Sequence, residues 1–311
     1  MIEQPHGSNE DLLATVMRAE TPRRAPSSQI EGHGLSEYVF TAVTRGISPN
    51  MASCELTYRL REEIDLQKAH YQLAHYRDLL RRWDVNLLTI PASESYPDCC
   101  FVQDTAVVLD EVCIIASMGA VSRRGEVSEV ERLVSPFRKI KPIRPPATLD
   151  GGDVVQVGKR LFVGHSKRTN ARGIAALSSI VEPFGYVVVP VKVDGGLHLT
   201  TGCGVINEDT VLLNPRWVDA EAFKGIRRLE VPDDEPWAAN TIRVNDYVCV
   251  EEGAPRTIEL IEPYTRCIET LDISEFRKAE GSLSCLSLIL RDPVENSVVL
   301  TNKGVCDGES E

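Results

Sequence analysis

"CFVQDTAVVLDEVCIIAS", residues 100–117, reads as a β-hairpin. Apolar and β-branched residues run up to Asp110-Glu111, a charged break, and a second apolar run follows it. The pattern returns in "GGDVVQVGKRLFVGHS" (151–166), "TTGCGVINEDTVLLNP" (200–215) and "ANTIRVNDYVCVEEG" (239–253). A fifth apolar strand, "SLSCLSLILRD" (282–292), has no second strand after it, and "YVFTAVTR" (38–45) could supply the missing partner. Helical stretches lie between hairpins, such as "EVSEVERLV" (126–134) with apolar Val127, Val130 and Val134, and "ARGIAALSSIVEPF" (171–184). "YVVVPVKV" (186–193) is strand-like, and "DLQKAHYQLAHYRDLLRRW" (65–83) helical.

Repeats spaced by roughly 35 to 55 residues point to a repeat architecture. A strand-strand-helix-strand unit used about five times predicts one α/β propeller, its last strand pairing with the first. The alternative with the same elements is an open α/β sandwich. Residues 1–36 are polar, with a short helix expected over Leu12 to Arg18 and a linker-like "TPRRAPSSQ". They predict a loosely ordered arm, leaving 37–311 as a single catalytic domain.

The net charge of −12 argues against a nucleic-acid footprint and suits a cationic ligand. Nine cysteines, an odd number without a C-x-x-C pair, argue against structural zinc and a disulfide framework. Reduced thiols fit a cytoplasmic protein. The N-terminus lacks the features of a signal peptide, and no apolar stretch approaches membrane-spanning length.

Polar residues interrupt the strands at equivalent places. Asp98, Gln103 and Asp104 lie in or before the first hairpin; Asp104 is placed in its first strand. Asp150 precedes "GGDVV", His198 precedes "LTTGCGV", and Cys285 opens "CLSLIL". In a ring, the starts of the inner strands converge on the axis. Carboxylates, an imidazole and a thiol would then share one site, where a buried carboxylate needs a cationic or hydrogen-bonding partner. Taken singly, each has a plainer reading: Cys285 as a small buried hydrophobe, His198 as structural, Asp150 as a turn former.

"ESYPDCCFVQDTAVV", "TLDGGDVVQVGKRLFVGHSKRTN", "GLHLTTGC", "VPDD…AANTIRVN" and "GSLSCLSLIL" resemble the dimethylarginine dimethylaminohydrolases of the guanidine-modifying superfamily. The resemblance runs over about residues 38–292 and implies the five-bladed α/β propeller, or pentein fold. It implies Cys285 as nucleophile and His198 as general acid and base, with Asp104 and Asp150 on the guanidinium. Asp98 and the backbone near Leu56 and Ala279 would hold the substrate α-amino group, and Arg123 and Arg168 its α-carboxylate. The family usually has Glu-Asp where this chain has Gln103-Asp104, so Gln103 is expected to tune which guanidine is accepted.

The implied reaction is hydrolysis of methylated arginine to citrulline and methylamine or dimethylamine through a thiouronium on Cys285. It needs no metal and no organic cofactor. The implied partner is a small guanidino substrate, with neither nucleic acid nor membrane, and a homodimer is left open. The same cysteine and histidine would serve a relative acting on arginine or another guanidine, as deiminase or amidinotransferase. A non-catalytic propeller that binds through its surface is the reading from another class.

Overall fold

The computed structural model describes residues 37–294. The arm, including the helix expected over Leu12 to Arg18, and residues 295–311 lie outside them.

Five three-stranded sheets make up the described chain. The strands are β1 (Tyr38–Arg45), β2 (Val85–Ile90), β3 (Ala106–Val108), β4 (Val112–Ile115) and β5 (Lys139–Pro142). They continue with β6 (Val154–Val157), β7 (Arg160–His165), β8 (Val187–Lys192), β9 (Cys203–Val205) and β10 (Thr210–Leu213). The last are β11 (Arg227–Glu230), β12 (Thr241–Val244), β13 (Tyr247–Glu251), β14 (Cys267–Leu271) and β15 (Leu288–Pro293). In four sheets the first strand pairs antiparallel with the second, which pairs parallel with the third. The fifth sheet closes the ring. β15 pairs antiparallel with β1, from Tyr38 opposite Pro293 to Val43 opposite Leu288, and β1 pairs parallel with β2. This is the five-bladed pentein arrangement that the hairpin spacing predicts, with the first strand of the chain completing the last blade.

A parallel pair needs a crossover, and helices supply most of them. They are α1 (Leu66–Arg82), α2 (Val127–Val134), α3 (Ala171–Val181) and α4 (Pro255–Ile261), with a short α5 (Ser274–Lys278) before the last blade. The crossover from β10 to β11 has only the 3-10 turn Ala220–Phe223. α1 starts at Asp65, whose carboxylate accepts from the Lys68 N–H. It buries Leu73, Tyr76, Leu79 and Leu80, spaced as one helix face requires. Each blade packs on its neighbours through apolar side chains, as where Phe162 stacks on Phe223 with ring centroids 4.3 Å apart.

A 3-10 turn precedes every inner strand: Val102–Thr105, Gly151–Asp153, Leu199–Thr201, Pro236–Ala239 and Leu283–Leu286. Asp104 therefore lies in a turn and not, as expected, in the strand itself. The turns pack against one another around the axis. Gly151 and Gly152 make that approach feasible. A Cβ on Gly151 would sit 2.1 Å from the Gln103 carbonyl oxygen, and one on Gly152 would sit 2.5 Å from Asp104 Oδ1.

Candidate active site

The ring of turns brings together most of the residues singled out in the sequence. One pocket is lined by Asp98, Asp104, Arg123, Arg168, His198, Ala279 and Cys285, together with Glu55, Phe101, Leu197, Glu280 and Gly281. Asp150 stands behind it, fully buried, in contact with His198. The pocket's free space is only about 10 Å³, at the lower limit for one water.

His198 lies between two carboxylates. Its Nε2 is 3.0 Å from Asp150 Oδ2, and its Nδ1 is 3.5 Å from Asp104 Oδ1. Burial works against a charged ring, but the charge of Asp104 and the hydrogen bond to Asp150 overcome it, with help from Asp153. They push the His198 pKa up to about 9. The ring is thus an imidazolium at neutral pH. Asp150 Oδ1 accepts from the Gly119 N–H at 2.7 Å, so both its oxygens are engaged.

Burial and the negative charge of Asp104 push the Cys285 thiol up to about 11. The Ser282 hydroxyl, 3.2 Å from Sγ, works in the opposite sense. Burial would raise the carboxyl of Asp104, yet His198 and Arg123 hold it below the usual carboxylate range. Asp104 Oδ2 accepts from Arg123 Nη1 at 2.7 Å, whereas Oδ1 is buried and faces His198 Nδ1 at 3.5 Å without a hydrogen bond. Arg168 has a matching vacancy: its Nη2 donates to Thr57 Oγ1 at 3.3 Å, and its Nη1 is buried and unpartnered. The pocket thus presents an open acceptor and an open cationic donor beside a thiol and an imidazolium.

The arginine deiminase family pattern matches residues 91–269. A Pseudomonas aeruginosa dimethylarginine dimethylaminohydrolase is 35% identical over 226 residues, covering 72% of this chain and 89% of its own length. A Streptomyces coelicolor dimethylarginine dimethylaminohydrolase is 34% identical, covering 81% of this chain and 97% of its own. The chain belongs to the dimethylarginine dimethylaminohydrolase family. Among solved members, the Pseudomonas enzyme as a cysteine-to-serine mutant complexed with citrulline superposes with a TM-score of 0.78. That match has 32% identity and covers 81% of this chain and all of that one. The N-terminal domain of ArgZ, a cyanobacterial arginine dihydrolase, shares the fold at 17% identity and a TM-score of 0.69.

Two residues expected at the substrate, Arg123 and Gln103, are engaged elsewhere in the structure. Arg123 lines the pocket, but its guanidinium is already engaged. Nε and Nη2 bind the carboxylate of Glu126, Nη1 binds Asp104, and Nη2 also reaches the Phe101 carbonyl. Gln103 lies outside the pocket lining. It borders a separate cavity of about 170 Å³, and its Oε1 accepts from the Ser284 hydroxyl at 2.9 Å. Leu56 is half-buried against the core, with Glu55 beside it facing the pocket. Asp98 lines the pocket and accepts from the Glu55 N–H at 3.1 Å; burial pushes its carboxyl up.

Sequence reasoning missed several partners. Asn240 follows the 3-10 turn of the fourth hairpin and is that blade's contribution to the axis. Its amide donates to the Thr200 carbonyl and the Ser284 hydroxyl, both at 2.8 Å, and its Oδ1 accepts from the Ser284 N–H. It therefore ties the turn beside His198 to the turn that carries Cys285. Its sequence position, at the start of an inner strand like the others, was the available signal. Asp153, fully buried and pushed up to about 6 by burial, accepts from the Leu199 N–H and the Ser166 hydroxyl. Ser166 in turn accepts from the Arg168 and Thr169 N–H groups, so one carboxylate braces the turns of His198 and Arg168.

Proposed function

We propose that this protein hydrolyses methylated arginine to citrulline and methylamine or dimethylamine, with Cys285 as nucleophile and His198 as acid and base. The observation that carries the reading is the pairing of vacancies. Asp104 Oδ1 and Arg168 Nη1, both buried and without a hydrogen bond, suit the two ends of an amino acid whose side chain is a guanidinium. An orphaned buried polar atom is costly, and a ligand that supplies its partner recovers that cost. Solved relatives complexed with citrulline, and with S-methyl-L-thiocitrulline as an adduct, hold molecules of this shape.

Chemistry follows from the two proton inventories. A thiol with a pKa near 11 is a weak nucleophile until a cation sits beside it, and the substrate is that cation. Asp104 orients the guanidinium and offsets its desolvation. Binding of the cationic substrate releases the Cys285 thiol proton to solvent, and the thiolate attacks the guanidinium carbon to form a tetrahedral centre. The His198 imidazolium, held by Asp150, donates its proton to the departing amine, which breaks the C–N bond and leaves a thiouronium. The ring, now neutral, takes a proton from water as the hydroxide attacks. Collapse breaks the C–S bond and passes the added hydroxyl's proton to the released amine, which gives citrulline and restores the thiolate. Arg168 takes the α-carboxylate, while Arg123 braces Asp104 and reaches the substrate only by giving up a present partner.

An assay of the ureido product, citrulline from the arginines and N-carbamoylputrescine from agmatine, over monomethylarginine, asymmetric dimethylarginine, arginine and agmatine tests this reading. Methylated arginines should give citrulline, and agmatine, which lacks the carboxylate, should be the poorest substrate. Turnover of agmatine equal to that of methylarginines would remove Arg168 from recognition. Citrulline from arginine alone would assign the chain to a deiminase.

A further inference from the structure

Glu280 occupies a place where glycine is the default. α5 ends in a motif in which the Gly281 N–H bonds to the Phe276 carbonyl at 2.9 Å and the Glu280 N–H to the Arg277 carbonyl at 3.1 Å. Such a motif puts its penultimate residue in the left-handed region, and Glu280 has φ 58°. A side chain there is strained, and strain persists where the surroundings over-determine it.

The Glu280 side chain spans 221 to 223 residues of sequence to reach the loop before α1. Its Oε1 accepts from the N–H groups of Thr57 (2.9 Å), Tyr58 (2.5 Å) and Arg59 (2.6 Å), and its Oε2 from Thr57 again (3.0 Å). Three consecutive amides thus converge on one carboxylate. The same Thr57 receives Arg168 Nη2 on its hydroxyl, and Glu55, on the near side of the loop, lines the pocket with Glu280. Through Glu55 this loop borders the pocket, and through Thr57 it contacts Arg168 in the pocket lining.

We propose that Glu280 is a positioning residue for substrate binding, its carboxylate holding residues 57–59 against Arg168 so that the amino-acid end of the substrate is enclosed. The inference rests on the hydrolase reading and adds to it a residue that touches neither the reacting carbon nor the nucleophile. Charge-assisted bonds to backbone amides are the strong class, and three of them act here. The loop encloses the end of the substrate remote from the guanidinium. Its loosening therefore costs uniform binding, which appears in KM with kcat preserved.

The test uses the full chain as Glu280→Gly and Glu280→Gln. Glu280→Gly relieves the left-handed backbone while removing the carboxylate, so stability and binding should part company. KM for methylarginine should rise at least about tenfold, with kcat within about threefold. Tm should stay within about 2 °C of the native value. Glu280→Gln, which keeps an acceptor but loses the charge, should fall between the two. Trypsin should cut faster after Arg59 and Arg61, both exposed in this loop, in the order native, Glu280→Gln, Glu280→Gly. Unchanged KM and unchanged cleavage would overturn the proposal, as would a fall in kcat at constant KM. If the native protein turns over no methylarginine, the hydrolase reading fails, and the cleavage order still decides whether Glu280 holds the loop.

Discussion

Asp150→Asn changes one atom and should disable the acid step. In the native chain, Asp150 Oδ1 accepts from the Gly119 N–H at 2.7 Å and Oδ2 faces His198 Nε2 at 3.0 Å. An asparagine can satisfy Gly119 only with its oxygen, which turns its NH2 group onto Nε2. Two donors cannot share that bond, so the ring must offer a lone pair there and becomes neutral, with its proton on Nδ1 toward Asp104. The rise from 6.5 to about 9 corresponds to roughly 3 kcal/mol of preference for the imidazolium. Asp104 contributes most to that rise, and the hydrogen bond to Asp150 comes next. Losing the bond and gaining an opposed donor should remove about 1.5–3 kcal/mol, a ten- to hundredfold drop in proton affinity. Titration of the His198 ring by NMR with labelled histidine reads this directly. The variant should deprotonate one to two pH units lower than the native ring, between about 7 and 8. Its kcat at neutral pH should fall by about 10²–10⁴, the reach of general acid-base catalysis. A ring that still titrates above about pH 8 in the variant would refute the reasoning, because Asp104 alone would then hold the proton.

Other outcomes follow from the same geometry. Asn240→Ala frees the Cys285 turn from the Thr200 carbonyl, and kcat should fall about tenfold or more while KM for methylarginine stays within about threefold; equal losses in both would mean general collapse of the pocket. Gln103→Glu should keep the kcat/KM ratios among arginine, monomethylarginine and asymmetric dimethylarginine within about threefold, because residue 103 faces Ser284 outside the pocket and Glu can accept the same bond. A tenfold change in those ratios, about 1.4 kcal/mol, would restore Gln103 to substrate selection. Stability should also depend on His198. The unfolded ring titrates at 6.5 and the folded one at about 9, so its contribution is complete below 6.5 and is lost as pH rises through 9. Denaturant titrations should show roughly 3 kcal/mol less stability at the upper end of that window, and His198→Asn should flatten the slope there.

The chain order alone carried the ring. Five apolar inner strands and four hairpins at similar spacing, with the first strand spare and the last strand alone, leave few ways to pair all edges. The paired register of β1 on β15 is the closure those segments imply. The same regularity located Asp104, Asp150, His198 and Cys285 at equivalent points, because what precedes an inner strand of a ring must face the axis. Asn240 obeyed the rule too, but an asparagine carries no charge or nucleophile to draw the eye. Partnerships were beyond the sequence. That Asp104 sits on a 3-10 turn, that Glu126 and Asp104 engage Arg123, and that Gln103 turns to Ser284 depend on how closely neighbouring turns approach. That approach is too close for a side chain at Gly151 or Gly152, where an added Cβ would lie 2.1 and 2.5 Å from the facing turn, and no residue pattern states it. The contact between Glu280 and residues 57–59 is of the same kind: it joins two distant segments that only ring closure makes neighbours. Proton affinities belong there as well, since burial and facing charges, not residue type, move His198 up to about 9 and Cys285 up to about 11.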